Sequence, residues 1–157
     1  MKKINKNFKD QTGLTLFVAI LITGTLLLIS VAIISLSVKE ALLSSSARES
    51  QYAFYAADTG AECAIYWDVK SPNGYSSFST STPAIIYCLG TYPSITRSPL
   101  VNGNGTSTFR ISFPSEPYCA DVLVAKTGNN TKIESLGYNT CVNTNPRRVQ
   151  RAVRVTY

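Results

Sequence analysis

The stretch Lys9–Glu40, KDQTGLTLFVAILITGTLLLISVAIISLSVKE, changes character at one residue. It is charged and amide-rich before Gly13, and from Leu14 to Val38 it runs for 25 residues without a charge. A helix of that length spans roughly 37 Å, which exceeds the ~30 Å hydrocarbon core of a bilayer. Residues 14–38 are therefore predicted to form a transmembrane helix.

The sequence on either side of this helix predicts its orientation. Residues 1–13 form a leader with four lysines and one aspartate, a net +3 of the chain's +6. Basic residues are few just after the apolar run, and the positive-inside rule then places the N-terminus in the cytoplasm. The run is too long for a secretory h-region of about 7–15 residues, although Ser45–Ala47 (SSA) offers a weak signal peptidase site.

The helix is expected to continue beyond the apolar run. Residues 39–70 contain no proline and one glycine, so no turn is indicated before SPNG at 71–74. A helix from Leu14 to Trp67 would have 54 residues and a length of about 80 Å. Mostly small residues share one face of its second half and are predicted to pack against a sheet or against neighbouring helices: Ala53, Ala57, Gly60, Ala64 and Trp67.

Residues 71–157 are predicted to form a small extracytoplasmic β-rich domain. A Ser/Thr-rich loop leads into four strand-like runs, TFRISF (108–113), CADVLVAKT (119–127), TKIESLGY (131–138) and VQRAVRVTY (149–157). An antiparallel meander laid against the small-residue face of the long helix is expected. The predicted fold class is α+β.

The cysteines are scattered, and no C-x-x-C pair could pre-form half of a zinc site. They are Cys63, Cys88, Cys119 and Cys141. In an exported domain this pattern predicts two disulfides. A hairpin centred on TGNNT (127–131) brings Cys119 nearly opposite Cys141, which favours that pairing and leaves Cys63 for Cys88, but spacing alone does not settle the connectivity.

Catalytic and nucleic-acid-binding signals are weak. The 157 residues include no histidine, the commonest general base and metal ligand, and no P-loop or calcium-loop motif. Asp121 and Glu134 are placed to face each other across the predicted hairpin, where two carboxylates are more often surface charges than a glycosidase pair. The basic cluster Arg147–Arg154 lies in a strand-like run and not in a recognisable nucleic-acid-binding module. Neither an enzyme, a metal site, a cofactor nor a specific nucleic-acid partner is predicted.

These features together resemble the type IV pilin superfamily. The Lys-rich leader ending in Gly13, the apolar helix directly after it and the amphipathic extension into a β-rich domain look like a class III signal peptide and a pilin-like fold. The resemblance implies that a prepilin peptidase cuts between Gly13 and Leu14 on the cytoplasmic side. The same enzyme would methylate the new amine of Leu14.

A second stretch, SQYAFYAADTGAECAIYWD (Ser50–Asp68), resembles a narrower group, the X-type minor pilins and K-type minor pseudopilins. Their pattern Q-x-A-x-x-A-A-x-x-G-x-E is matched by Gln51, Ala53, Ala56, Ala57, Gly60 and Glu62. Val18 departs from most pilins, which have a glutamate there that meets a neighbouring subunit's free amine. Its absence is similar to K-type components, which are thought to sit at the filament tip.

The resemblance implies a minor pilin or pseudopilin that primes assembly or sits at the tip of a type IV pilus or type II secretion pseudopilus. Its partners would be other pilin subunits, bound through the N-terminal helix, and the prepilin peptidase. It would lie in the bacterial cytoplasmic membrane, C-terminus outside, before joining an extracellular filament. The alternative is an uncleaved single-span membrane protein that displays a small disulfide-bonded binding domain.

Overall fold

The structure, a computed structural model, describes residues 12–72, 74–79, 85–98 and 104–157. It has an α+β fold, as predicted, with one long helix packed on a five-stranded antiparallel sheet. The elements are α1 (Thr12–Val69), β1 (Ile95–Arg97), β2 (Gly105–Ser112), β3 (Cys119–Thr127), β4 (Asn130–Tyr138) and β5 (Gln150–Thr156). The leader, except for its last two residues, lies outside the described residues.

The helix α1 is continuous across the border between apolar and amphipathic sequence, as its lack of proline predicted. Its last backbone hydrogen bond runs from Lys70 N to Tyr66 O, 2.8 Å. After the helix, Gly74 N donates to Ser71 O at 3.0 Å, and Gly74 takes a φ of +77°, a conformation that favours glycine. The predicted helix ends, Leu14 and Trp67, lie within two residues of the observed ones.

The chain divides into two compact units, one up to Ser45 and one from Ser46 to Tyr157. In the first unit, the large apolar side chains of α1 are exposed along its whole length. In the second unit, the helix residues pack on the sheet and form a core with it. The segment boundaries at 38–39 and 70–71 were predicted from charge and turn signals. The division between the two compact units falls instead between Ser45 and Ser46.

The sheet is an antiparallel meander in the order β1-β2-β3-β4-β5. The four strands predicted from alternation correspond to β2 through β5. Strand β1 was not predicted, since its three residues are too few for an alternating pattern to show. In β2, β3 and β4 every second side chain points toward α1 and most of these are buried, among them Phe109, Ile111, Val122, Val124 and Ile133.

Small residues line the contact between α1 and the sheet. Of the predicted packing residues, Ala53, Ala57, Gly60 and Ala64 are buried and Trp67 is half-buried. Ala56 and Ala61 are buried as well, so the contact face is wider than the single stripe that spacing indicated.

Glycines bring the two layers together at two points. A Cβ added at Gly137 on β4 would overlap the Ala53 carbonyl oxygen and the Ala57 amide, and would lie 2.9 Å from the Ala57 Cα. A Cβ added at Gly60 would overlap the Ser135 hydroxyl and lie 2.9 Å from Val122 Cγ2. At Gly137 the obstacle is helix backbone, which cannot rotate away, so only glycine allows the observed spacing.

We expect Gly137→Ala to lower the free energy of unfolding of the second unit by about 3 kcal/mol, because overpacking against backbone forces the layers apart. The measurement is thermal melting of the full chain in detergent, followed by near-UV circular dichroism. Gly24→Ala is the matched control, since nothing lies within 4 Å of a Cβ at that position. If both variants melt like the parent, the close approach at Gly137 is wrong.

Candidate assembly interface

The first unit presents an apolar surface that its own chain does not cover. Within the described residues, α1 contains one segment near the N-terminus that is long and apolar enough to cross a membrane, and none of that segment is buried. Apolar area of this extent requires lipid or other helices around it. The segment is therefore compatible with a membrane anchor.

Hydroxyl groups in this segment are satisfied by the helix itself. Thr23 Oγ1 donates to Ala19 O at 2.9 Å, and Ser30 Oγ donates to Leu26 O at 2.8 Å. Three more hydroxyls bond back to carbonyls three or four residues earlier: those of Thr25, Ser35 and Ser37. These side chains need no water, which agrees with an apolar surrounding.

The predicted processing site lies at the start of α1. Gly13 is already helical, nothing lies within 4 Å of where its Cβ would be, and Leu14 is 69% exposed. Val18 is exposed on the same helix face as Leu14 and Ile22. Cleavage after Gly13 and methylation of Leu14 remain predictions, since residues 1–11 lie outside the described part of the chain.

Two disulfides connect the second unit internally. Cys63 on α1 is bonded to Cys88 in the loop before β1, with 6.1 Å between their Cα atoms. Cys119 at the start of β3 is bonded to Cys141 after β4, with 5.6 Å between Cα atoms. This is the pairing that the hairpin position favoured. The first disulfide ties the helix to the loop before β1. The second closes the β3–β4 hairpin at the end opposite its turn.

A buried carboxylate joins the C-terminal end of α1 to the sheet. The Asp68 side chain is 3% exposed, and Lys126 Nζ on β3 lies 2.7 Å from its Oδ1. The hydroxyl of Tyr157, just after β5, donates to Asp68 Oδ2 at 2.8 Å, and the Ser76 hydroxyl donates to Oδ1. One carboxylate thus receives hydrogen bonds from β3 and from the residue after β5, at the same end of the sheet, and from the loop after the helix.

The charge state of this cluster follows from its contacts. Burial by itself raises the pKa of Asp68, but hydrogen bonds from Lys126, Ser76 and Tyr157 outweigh burial and hold the pKa below its ordinary value of 3.8. Burial, and then the hydrogen bond to Asp68, raise the pKa of the Tyr157 hydroxyl. The tyrosine therefore stays a donor and the aspartate stays an acceptor at neutral pH.

The sequence analysis did not identify Asp68. A charged residue near the end of an amphipathic helix is usually solvated, and its partners, Lys126 and Tyr157, are 58 and 89 residues away in the chain. Tyr157 follows Val153 and Val155 at every second residue, so strand alternation places it on the same sheet face as these two valines, which pack against the core. This alternation was the available sequence signal for Tyr157, but it did not reveal that the Asp68 carboxylate accepts its hydrogen bond.

A second group of contacts fixes the helix near Ser46. Asn139 Nδ2 donates to Glu49 Oε2 at 2.7 Å, and Arg151 Nε donates to Ser50 Oγ at 2.7 Å. The rings of Tyr52 and Tyr118 are stacked with centroids 5.6 Å apart. The helix of the second unit is therefore held to the sheet at both ends, so that neither sliding nor rotation is free.

The outer face of the sheet carries separate ion pairs. Asp121 lies opposite Leu136 and Glu134 opposite Leu123, so the expectation that the two carboxylates face each other is wrong by two residues of register. Asp121 pairs with Arg110 at 2.5 Å, and Glu134 pairs with Arg154 at 2.5 Å. Each carboxylate thus has a cationic partner and lies beside a shallow groove of about 520 Å³.

We expect Asp68→Asn to cost about 2 kcal/mol of unfolding free energy at pH 7, because the variant leaves the Lys126 ammonium without its carboxylate. A carboxylate whose folded pKa is lowered stabilises fully above its unfolded pKa, near 4, and loses that contribution as the pH falls through the folded value. The difference between variant and parent should therefore shrink below about pH 4. Urea unfolding between pH 3 and pH 7 measures it.

Asp121→Asn is the control for this experiment, since it removes an ion pair whose two side chains are exposed. Its cost should stay below about 1 kcal/mol. An Asp68→Asn deficit that is the same at every pH would contradict the charge assignment.

No group of three or more His, Cys, Asp or Glu side chains that could hold a metal occurs among the described residues. A scan against protein-family models and searches of curated proteins and of solved structures found no match to this chain.

Proposed function

We propose that the protein is a minor pilin or minor pseudopilin, a structural subunit that primes assembly or sits at the tip of a type IV pilus or type II secretion pseudopilus. The observation that carries the proposal is the uncovered apolar part of α1, which starts at the Gly13–Leu14 border and belongs to the same helix that packs on the sheet. A plain membrane anchor does not need a helix that continues into the core of its soluble domain.

The surface chemistry of the first unit supports this role. Its apolar side chains are exposed on every side of the helix, and its hydroxyls are internally bonded. Such a helix can remain in lipid and can also pack among similar helices, where small residues such as Gly24 allow close approach. The partners proposed are therefore other pilin subunits, with the cytoplasmic membrane as the location before assembly.

The second unit supports the role through its rigidity. The Asp68 cluster and the contacts of Glu49 and Ser50 hold the helix to the sheet. The Cys63–Cys88 disulfide ties the helix to the loop before β1, and Cys119–Cys141 closes the β3–β4 hairpin. A force applied to the helix of this unit is thereby passed to the whole domain. That property suits a subunit that is extracted from a membrane and carried outward with its domain folded.

Val18 supports a tip position in preference to the shaft. In a bundle of apolar helices an unpaired ammonium is costly to bury, and no carboxylate occurs in α1 between Thr12 and Lys39. A subunit without that acid cannot neutralise the free amine of a neighbour on which it docks. It can still offer its own amine to a subunit that has the acid.

A second candidate function is an uncleaved single-span protein that displays a disulfide-bonded binding domain outside the cell. One observation favours it, namely that α1 already begins at Thr12 and passes through Gly13 without a break. The two candidates differ in the covalent state of the N-terminus. Processing therefore separates them.

Co-expressed with a prepilin peptidase, the parent protein should yield a mature chain that begins at Leu14, with or without a methyl group, in intact-mass spectrometry of the membrane fraction. Gly13→Ala should block the cut and leave the leader attached, because the added methyl group changes the residue at the scissile bond. Gly24→Ala, the same substitution away from the site, should be processed normally. An intact leader on the parent chain would overturn the pilin proposal and favour the anchor.

In cells that assemble filaments, labelled antibody against the β-rich domain should mark filament ends only. Val18→Glu should move a fraction of the label into the shaft, because the new carboxylate can neutralise a neighbour's amine. Val18→Gln is the matched control and should keep the label at the ends. Label along the shaft of the parent would contradict the tip position.

A further inference from the structure

Strand β5 is the long open edge of the sheet. It pairs antiparallel with β4, from Lys132 opposite Thr156 to Tyr138 opposite Gln150, and no described strand lies on its other side. The opposite edge strand, β1, has three residues, whereas β5 has seven. An unpaired strand of this length presents a row of backbone donors and acceptors.

The phase of the ladder tells which backbone groups are free. Thr131 of β4 and Tyr157, just after β5, exchange both backbone hydrogen bonds, N to O, at 2.8 and 3.1 Å. Doubly bonded pairs recur at every second residue of an antiparallel ladder. Arg151, Val153 and Val155 therefore direct their N–H and C=O groups toward β4, and the bond from Asn139 N to Val149 O continues this phase.

The alternate residues of β5 direct their backbone groups away from the sheet. They are Gln150, Ala152, Arg154 and Thr156, and all four are exposed. No hydrogen bond from another described residue reaches these groups. Four N–H donors and four C=O acceptors thus lie in a straight row, without a proline or a bulge to interrupt them.

The edge is also basic. Four arginines lie on β5 or just before it: Arg147, Arg148, Arg151 and Arg154. Only Arg154 has a carboxylate partner among the described residues, Glu134. Arg148 lies over the Tyr138 ring, 3.7 Å from its centroid, and Arg151 donates to a serine hydroxyl, so neither positive charge is neutralised.

A second copy of this chain does not supply a complementary strand. Between residues 70 and 157, the segments outside the strands contain a single acidic residue, Glu116. An extended segment with several carboxylates must therefore come from another protein. Charge complementarity then identifies the occupant by its chemistry.

We propose that the free edge of β5 binds an extended acidic segment of a partner protein, which joins the sheet as a sixth strand. The free backbone groups of β5 supply the pairing, and the arginines beside them select carboxylates on the arriving strand. This interaction uses only the second unit, so it does not depend on the proposed role in a filament.

The test uses the full chain in detergent and a fluorescein-labelled probe peptide, acetyl-(Glu-Thr)4-amide, with binding followed by fluorescence anisotropy. A peptide N-methylated at all eight amides keeps the charge but cannot donate backbone hydrogen bonds, and should bind at least tenfold more weakly. A peptide with lysine in place of glutamate should lose at least tenfold as well. Both losses are required, because strand pairing and charge selection are separate parts of the proposal.

Variants of the chain test the same edge. Ala152→Pro removes one outward-pointing N–H without touching the ladder to β4, and should weaken binding of the parent peptide at least fivefold. Ala152→Ser is the matched control and should bind like the parent. Since an edge proline can still disturb folding, amide hydrogen exchange of the unaltered chain provides an independent measurement. The amides of Gln150, Ala152, Arg154 and Thr156 should exchange at least tenfold more slowly with peptide bound.

Equal binding of the lysine-containing peptide would overturn the proposal, and so would three further outcomes. Equal binding of the parent and N-methylated peptides would mean that charge alone attracts the ligand. No binding of the parent peptide, or unchanged exchange at the four amides, would mean that the arginines serve only to keep other strands away from an exposed edge.

Discussion

The contact between the backbone of α1 and the backbone of β4 is the constraint on which the second unit depends. Gly137 allows the Ala53 carbonyl and the Ala57 amide to lie against the strand. On the helix, Gly60 likewise leaves room for the Ser135 and Val122 side chains of the sheet. At such a spacing, dispersion forces act between main chains as well as side chains. The contact also sets the position along the sheet at which each polar side chain of the helix reaches its partner. The other hydrogen bonds between helix and sheet therefore depend on it.

The polar bonds at the two ends of this contact convert close packing into a single fixed arrangement. A shift of one helical turn would move the helix out of register with Gly137 and would place a residue with a Cβ where Gly60 now lies. Asp68 at one end and Glu49 at the other form hydrogen bonds that such a shift would break. A buried carboxylate without its partners is costly, so the shifted arrangement is excluded. Burial and charge thus reinforce the register that the glycine contacts set.

The two proposed interfaces of the protein rest on different physics. The apolar segment of α1 presents apolar surface, and burial of apolar surface is a non-directional interaction. Lipid and neighbouring helices can therefore replace each other around it. The edge of β5 offers directional hydrogen bonds within a basic setting, which suits a partner of defined conformation and charge. The first interface is suited to assembly and the second to recognition.

The sequence by itself determined the elements of this protein, and the tertiary structure decided their connections. The apolar run, the absence of proline from residues 14 to 70 and the alternation in β2 through β5 are local patterns, and local patterns predict a helix and strands because side-chain direction repeats with the backbone. The small-residue face was predictable for the same reason, and the position of the β3–β4 hairpin between Cys119 and Cys141 favoured the observed disulfide pairing. The role of Asp68, the two-residue offset between Asp121 and Glu134 and the free backbone groups of β5 were not predictable. Each depends on register between segments far apart in the chain, and register is set by how the layers pack rather than by any one segment.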